Sequence, residues 1–240
     1  MKLSLLTWQE FREMVPGQRD AAVLPVGTIE AHGVIPLAAD VLIPEKIADE
    51  IADRLRAVVL PSVPYGITRS LCGYPGSLTV KTATFEAYIS EIIDSCADHK
   101  FKKVVILNGH GGNSVSLNKV GLEGLQRTGL KIAVVHWWIL ALEVCKEVCG
   151  VSGGHAALDE SAFILAFWPE LVKKERYQPE MVYRHKEGIE AYPNPGSIIT
   201  YANGEGYLDF DPVKAKKYAL GAIEKVAAHL EDVFRRWEAI

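Results

Sequence analysis

Cysteine is scarce in this chain: four in 240 residues, Cys72, Cys96, Cys145 and Cys149, with no CxxC spacing. That excludes a small disulfide scaffold and gives no framework for a thiolate zinc site. Cys145 and Cys149, one helical turn apart, read as buried helix positions rather than a ligand pair. Long hydrophobic runs are also missing. The longest uncharged apolar stretch, Ile132–Leu142, falls far short of the about 20 residues that span a bilayer. The apolar run after Met1 stops at Glu10 and Arg12, too soon for a signal peptide. The expectation is therefore a cytoplasmic protein with no membrane partner. Charge of one sign is not in excess either: 26 basic against 30 acidic residues give a net charge of −4. The basic residues come in short pairs such as Lys102-Lys103, Lys173-Lys174 and Lys216-Lys217, which describe solvated faces and exclude a nucleic-acid partner. Neither GxGxxG nor GxxxxGK[ST] occurs, so the phosphate-binding turns of dinucleotide and P-loop proteins lack their sequence. There are no repeats and no low-complexity linker, and the length suits one α/β domain over residues 1–240.

What is present alternates between strand and helix. Apolar runs predict strands at 21–26, 57–60, 103–107 and 131–136. Helices are predicted at about 41–55, 84–99, 113–126, 138–148 and 155–168. Such alternation predicts an α/β fold, with a mostly parallel sheet between helices on both faces. In the first helix Ile43, Ile47, Ile51 and Leu55 recur every four residues, and Asp40 stands where a cap belongs. After Pro169 the pattern weakens into a long excursion punctuated by Pro179, Pro193 and Pro195 and by the turn Asn203-Gly204-Glu205-Gly206. A final helix is predicted from Pro212 to about Trp237.

Three clusters carry chemistry. In Asn108-Gly109-His110-Gly111-Gly112-Asn113 a buried strand delivers a histidine into a glycine turn, with Asn108 and Asn113 placed to hold the loop by local hydrogen bonds. Ligands of open α/β sheets bind beyond such strand ends. In Gly27-Thr28-Ile29-Glu30-Ala31-His32, Glu30 and His32 point to one side of an extended segment, and Asp40 returns after an apolar loop. Carboxylates among Val, Ile, Leu and Ala are costly to bury unless paired or bound to a cation. A capping Asp40 and a surface Glu30 are the plainer reading of either residue alone. The third cluster, Gly153-Gly154-His155-Ala156-Ala157-Leu158-Asp159-Glu160, opens a helix on which His155 and Glu160, five apart, point to neighbouring but different spots. Asp159 reads as a complement to the helix dipole. The His136-Trp137-Trp138 run reads first as core and second as a pocket wall, while His99, His185 and His229 read as surface residues.

Together the three clusters resemble the creatininase (creatinine amidohydrolase) family, whose pattern has a Glu-x-His-Gly box with a following Asp, an Asn-Gly-His box and a His-Ala-x-x-x-Glu box. All three occur in family order across residues 20–165. The resemblance implies a three-layer α/β/α sandwich and two divalent metal ions, zinc and/or manganese, with iron possible. Asp40 would bridge the ions, Glu30 and His110 would complete one site, His32 and Glu160 the other, and His155 would shuttle protons. Two histidines and three carboxylates form a mixed N/O set that suits Zn, Mn or Fe. Two ions about 3.5–4 Å apart can activate water and polarise a carbonyl. The implied enzyme hydrolyses a non-peptide C–N bond of a small cyclic or linear amide. Family members form ring-like hexamers, trimers of dimers, so Tyr192, Tyr201 and Tyr207 are candidate subunit contacts.

Departures from the family bear on the substrate. The loop from His32 to Asp40 is one residue short and lacks a second histidine. Gly111 and Gly112 stand where creatininase proper has bulkier residues, a glutamate among them, and Val151-Ser152 stand about where it has a tryptophan. In the box Tyr74-Pro75-Gly76-Ser77-Leu78, Ser77 is a candidate substrate contact, and about at Leu71 an upstream histidine is missing. Gly111 and Trp138 complete the expected substrate contacts. These differences point to a paralogue with a substrate other than creatinine. Alternatives are a formamide hydrolase on a formylaminopyrimidine nucleotide, for which Arg69 and Lys81 are the weak phosphate-binding candidates, and a small-peptide hydrolase. A non-catalytic nucleotide-binding module is the alternative of a different class.

Overall fold

The chain's structure, a computed structural model, describes residues 1–186, 188–200 and 208–239. The predicted turn at Asn203-Gly204-Glu205-Gly206, with Tyr201 and Tyr207, lies outside them. In order, the elements are α1 (Trp8–Met14), β1 (Ala21–Val26), α2 (Ala39–Ile51), β2 (Ala57–Val59), α3 (Thr82–Asp98), β3 (Lys103–Asn108), α4 (Ser114–Thr128) and β4 (Lys131–His136). There follow α5 (Trp137–Leu140), α6 (Leu142–Cys149), α7 (Leu158–Phe167), β5 (Val182–Arg184), β6 (Ile198–Thr200) and α8 (Pro212–Glu238). The main sheet has the order β2-β1-β3-β4 with every pairing parallel.

The apolar runs are continuous because both faces of the sheet are covered. Ala21 and Val23 of β1, with Val105 and Leu107 of β3, face a core made with α2, α7 and α8. Ala22, Leu24 and Val26, with Val104 and Ile106, face a second core made with α3 and α4 through Phe85, Ile89, Ile93, Leu117 and Val120. The result is the expected three-layer α/β/α sandwich. Pro212 opens α8, and the Asp211 carboxylate accepts from the backbone N–H groups of Val213 and Lys214. Among the described residues no helix is long and apolar enough to cross a membrane.

Three strands end level. Val26, Asn108 and His136 are register partners, so the chain leaves β1, β3 and β4 along one edge. Into that edge descends the first turn of α2, anchored by Ile43, Ile47 and Ile51, all fully buried. Each such side chain contributes about 1.5–3 kcal/mol of burial. The approach needs two glycines. A Cβ at Gly27 would lie 2.3 Å from the Asp40 carbonyl oxygen, and one at Gly109 only 2.0 Å from it. Pro44, inside α2, has no N–H to offer that carbonyl, which instead rests on the two glycine turns.

Three expectations are corrected. Asp40 is not the cap of α2: Ala38 precedes the helix without a side-chain cap, and Asp40 lies inside the first turn with its carboxylate turned to histidines. The helix also stops at Ile51, so Leu55 packs into the same core from the following turn. His155 is not helical, since α7 begins only at Leu158, and Ala156 takes a left-handed φ of 52°. The long excursion after Pro169 supplies the parallel pair β5-β6, packed through Ile198 against Val34 and Ala156.

Candidate metal centre

Beyond the level strand ends the structure brings together Glu30, His32, Asp40, His110, His155 and Glu160. Glu30, His32 and Asp40 are each no more than 2% exposed. Each histidine spends one ring nitrogen on a backbone carbonyl. His32 Nδ1 lies 2.9 Å from the Glu30 oxygen, His110 Nε2 3.0 Å from that of Ile67, and His155 Nε2 2.7 Å from that of Ala31. A carbonyl only accepts, so these nitrogens carry the proton, and the other nitrogen of each ring is turned inward with its tautomer fixed.

The inward nitrogens meet carboxylates. His32 Nε2 is 3.0 Å from Asp40 Oδ1 and 3.8 Å from Glu160 Oε2. His110 Nδ1 is 2.8 Å from Asp40 Oδ2 and 3.2 Å from Glu30 Oε1, and His155 Nδ1 is 3.3 Å from the same Glu30 oxygen. Other oxygens of the cluster are held: Thr68 Oγ1 donates to Glu30 Oε2 at 2.9 Å, and the Ala156 N–H donates to Glu160 Oε2 at 2.6 Å. Asp40 Oδ2 is fully buried, with His110 Nδ1 as its polar neighbour.

Burial and charge pull in opposite directions here. Burial opposes a charged His32, but neighbouring Asp40 outweighs it and lifts the pKa to about 10. His110 is likewise raised well above the usual range against its burial, by Glu30 and Asp40. Burial would raise Asp40 and Glu30, yet the histidines hold both low. Glu160 goes the other way: burial and then Asp40 push its carboxyl well up. His155 is pushed down to about 4, first by burial and then by His32. Glu30 and Asp40, buried and held ionised, require cations beside them. Without metal they are protons on His32 and His110.

Divalent metal fits the same positions. Donor atoms of Glu30, Asp40 and His110 lie within 4.8 Å of one another, and so do those of His32, Asp40 and Glu160. The two sets share Asp40, whose two oxygens face His32 and His110. Imidazole and carboxylate donors without thiolate suit Zn or Mn. A third set, Glu30, His32 and His155, meets the same distance limit, so His155 is placed for ligation as well as for proton transfer.

A cavity of about 390 Å³ opens onto this centre. Gly111 and Trp138 line it, as do Leu71, Leu142 and Ile199. Trp137, by contrast, is fully buried in the core, and the Asn108 amide donates to the Nδ1 of half-buried His136 at 3.1 Å. Ser77 does not line the cavity. Its hydroxyl accepts from the Ala31 N–H at 2.9 Å, which fixes the segment between Glu30 and His32. Arg69 is exposed and donates to Thr82. Sequence reasoning missed Thr68, which orients Glu30, and Thr28, 3.0 Å from the Thr68 hydroxyl. Only Thr28 carried a signal, as the one hydroxyl in the first box.

A parallel sheet thus gathers histidines and carboxylates beyond its carboxyl ends, with a cavity above them, which makes the chain an α/β protein with a candidate metal centre. The chain belongs to the creatininase family of amidohydrolases: the family described as creatinine amidohydrolase matches residues 4–230. It is 28% identical to the creatinine amidohydrolase of Pseudomonas putida over 190 residues, 71% of this chain and 73% of that one. It is 33% identical to the mycofactocin precursor peptide peptidase of Mycolicibacterium smegmatis over 122 residues, 48% of this chain and 47% of that one. A creatininase variant of Zn-Zn type superposes with a TM-score of 0.81 at 23% identity, over 97% of this chain and 98% of that one. A manganese creatininase superposes at 0.78 with the same identity and coverage.

Proposed function

We propose that the chain is a metal-dependent amidohydrolase that holds two divalent ions, Zn and/or Mn, and hydrolyses a C–N bond of a small amide. Glu30 and His110 hold one ion, His32 and Glu160 the other, and Asp40 is shared. The observation that carries this reading is the pair of ligand triads meeting at buried Asp40, whose two oxygens face His32 and His110. Two divalent ions held by these residues would supply a water of lowered pKa and a Lewis acid for a substrate carbonyl. In the metal-free chain burial and then His32 hold the pKa of His155 down to about 4, so its imidazole is neutral there. With Nε2–H tied to Ala31, it takes a proton at Nδ1 and returns it to the departing nitrogen. Thr68 keeps Glu30 oriented, and the Ala156 N–H does the same for Glu160.

The missing bulk at Gly111 and Gly112 supports a substrate other than creatinine. Cleavage of a small peptide is the second reading, supported by the likeness to a peptide peptidase. The nucleotide readings have less support: no Lys or Arg lines the cavity, and its carboxylates repel phosphate. Four unpaired cysteines fit a cytoplasmic location, and the family supports a homo-oligomer, a hexamer built as a trimer of dimers. The test is elemental mass spectrometry of protein purified without chelator. About two transition-metal ions per chain are expected. No uptake even after reconstitution with Zn or Mn sinks the reading.

A further inference from the structure

We infer that Gly111 determines substrate size, its missing side chain leaving room beside His110 for a bulky, uncharged group on the amide; this rests on the metal-centre reading above. Five glycines line the cavity, and four are demanded by packing. A Cβ at Gly109 would stand 2.0 Å from the Asp40 carbonyl oxygen, at Gly112 2.3 Å from that of Ile67, at Gly153 1.9 Å from Asp159 Cγ, and at Gly154 2.8 Å from the Ile199 carbonyl oxygen. Gly111 differs from all four. A Cβ there meets nothing within 4 Å, and its φ lies outside the left-handed region. Neither the fold nor the backbone requires glycine at this position, and Gly111 lines the cavity, so a side chain there would take up space beside His110.

The space it leaves adjoins the reacting centre. Gly111 follows His110 directly and opens the single 3-10 turn Gly111–Asn113, so a group lying over it sits next to the imidazole that faces Glu30 and Asp40. The chemistry of the wall defines that group. Leu71, Trp138, Leu142 and Ile199 are apolar, and no Lys or Arg borders the cavity. Residues 187, 201–207 and 240 include no Lys or Arg in the sequence. A phosphate or carboxylate flank would find no counter-charge on these walls, whereas an aromatic or branched aliphatic flank would bury its surface against Trp138.

The experiment titrates two hydroxamates of different size, acetohydroxamate and 4-phenylbenzohydroxamate, into Zn- or Mn-loaded wild type, Gly111→Ala and Gly111→Leu by calorimetry. The wild type should bind the larger probe more tightly. Gly111→Leu should weaken the larger probe about tenfold or more and the smaller by less than about threefold, with Gly111→Ala between. Metal content and thermal midpoint should match the wild type in both variants. Equal weakening of both probes, no change in either, or a loaded wild type that does not prefer the larger probe overturns the inference. A wild type that takes up no metal overturns the metal-centre reading and this inference with it, and elemental analysis separates the two failures.

Discussion

Three histidines at the site look alike in sequence and differ in what their inward nitrogens meet. His110 Nδ1 stands between Asp40 and Glu30, while His155 Nδ1 has only one carboxylate oxygen, that of Glu30, at 3.3 Å. The proposed roles therefore separate on substitution. His110→Ala removes a nitrogen ligand and should lose one metal and nearly all turnover, with the circular-dichroism spectrum unchanged. His155→Ala should keep both metals while turnover falls about 10²–10⁴-fold, the size of a general acid–base contribution. Metal loss in His155→Ala would instead make it a ligand of the third triad. The residues of this cluster were legible because polar groups stand out in apolar strand ends. Their convergence was implied by the family resemblance and not by spacing: helical spacing set His155 and Glu160 apart, whereas the left-handed Ala156 turns the chain so that its own N–H reaches Glu160. Thr68 left no local trace, because it meets Glu30 across 38 residues of sequence.

At the scale of elements, the four strands of the main sheet were legible to within a residue because burial on both faces writes them as unbroken apolar runs, whereas β5 and β6 were not, and helix ends drifted by a few residues where a turn stayed apolar. The loops that aim the site were less so. Asn108 acts locally as expected, accepting the His110 N–H at 3.0 Å. Asn113 does not: its Oδ1 accepts the Ile67 N–H at 2.9 Å and its Nδ2 donates to the Gly27 carbonyl at 3.0 Å, so one buried amide ties α4 to the turn after β1 and to the segment after β2. A sequence offers no sign of partners 46 and 86 residues away. Asn113→Ala leaves a buried N–H and a buried C=O unmet and should cost about 2 kcal/mol or more in urea denaturation. Ile67 also holds His110 Nε2 through its carbonyl, so the same variant should bind metal more weakly. Wild-type stability together with wild-type metal affinity would rule out this bridging role.

For the whole molecule, protons and metal compete for one cluster, and the sign of the pH effect follows. His32 has a folded pKa of about 10 against an ordinary 6.5. Its contribution is complete below that ordinary value and is lost as pH rises through about 10. Asp40, held low, contributes above its ordinary value of 3.8, and that contribution is lost as pH falls below it. The metal-free chain should therefore weaken steadily from pH 7 to pH 10. Metal must displace protons from His32 and His110, so its apparent affinity rises over the same interval. Free metal at about 100 times its Kd adds about 2.7 kcal/mol, or about 5–10 °C in Tm for a chain of this size. Thermal melts of chelator-stripped and reloaded protein should thus diverge as pH is raised from 6 to 9, with the gap smallest at pH 6. A gap that stays constant would mean that His32 and His110 are already neutral without metal. The carboxylates would then have to shed their charge by protonation instead, and the gap would be set by Glu30, Asp40 and Glu160 alone.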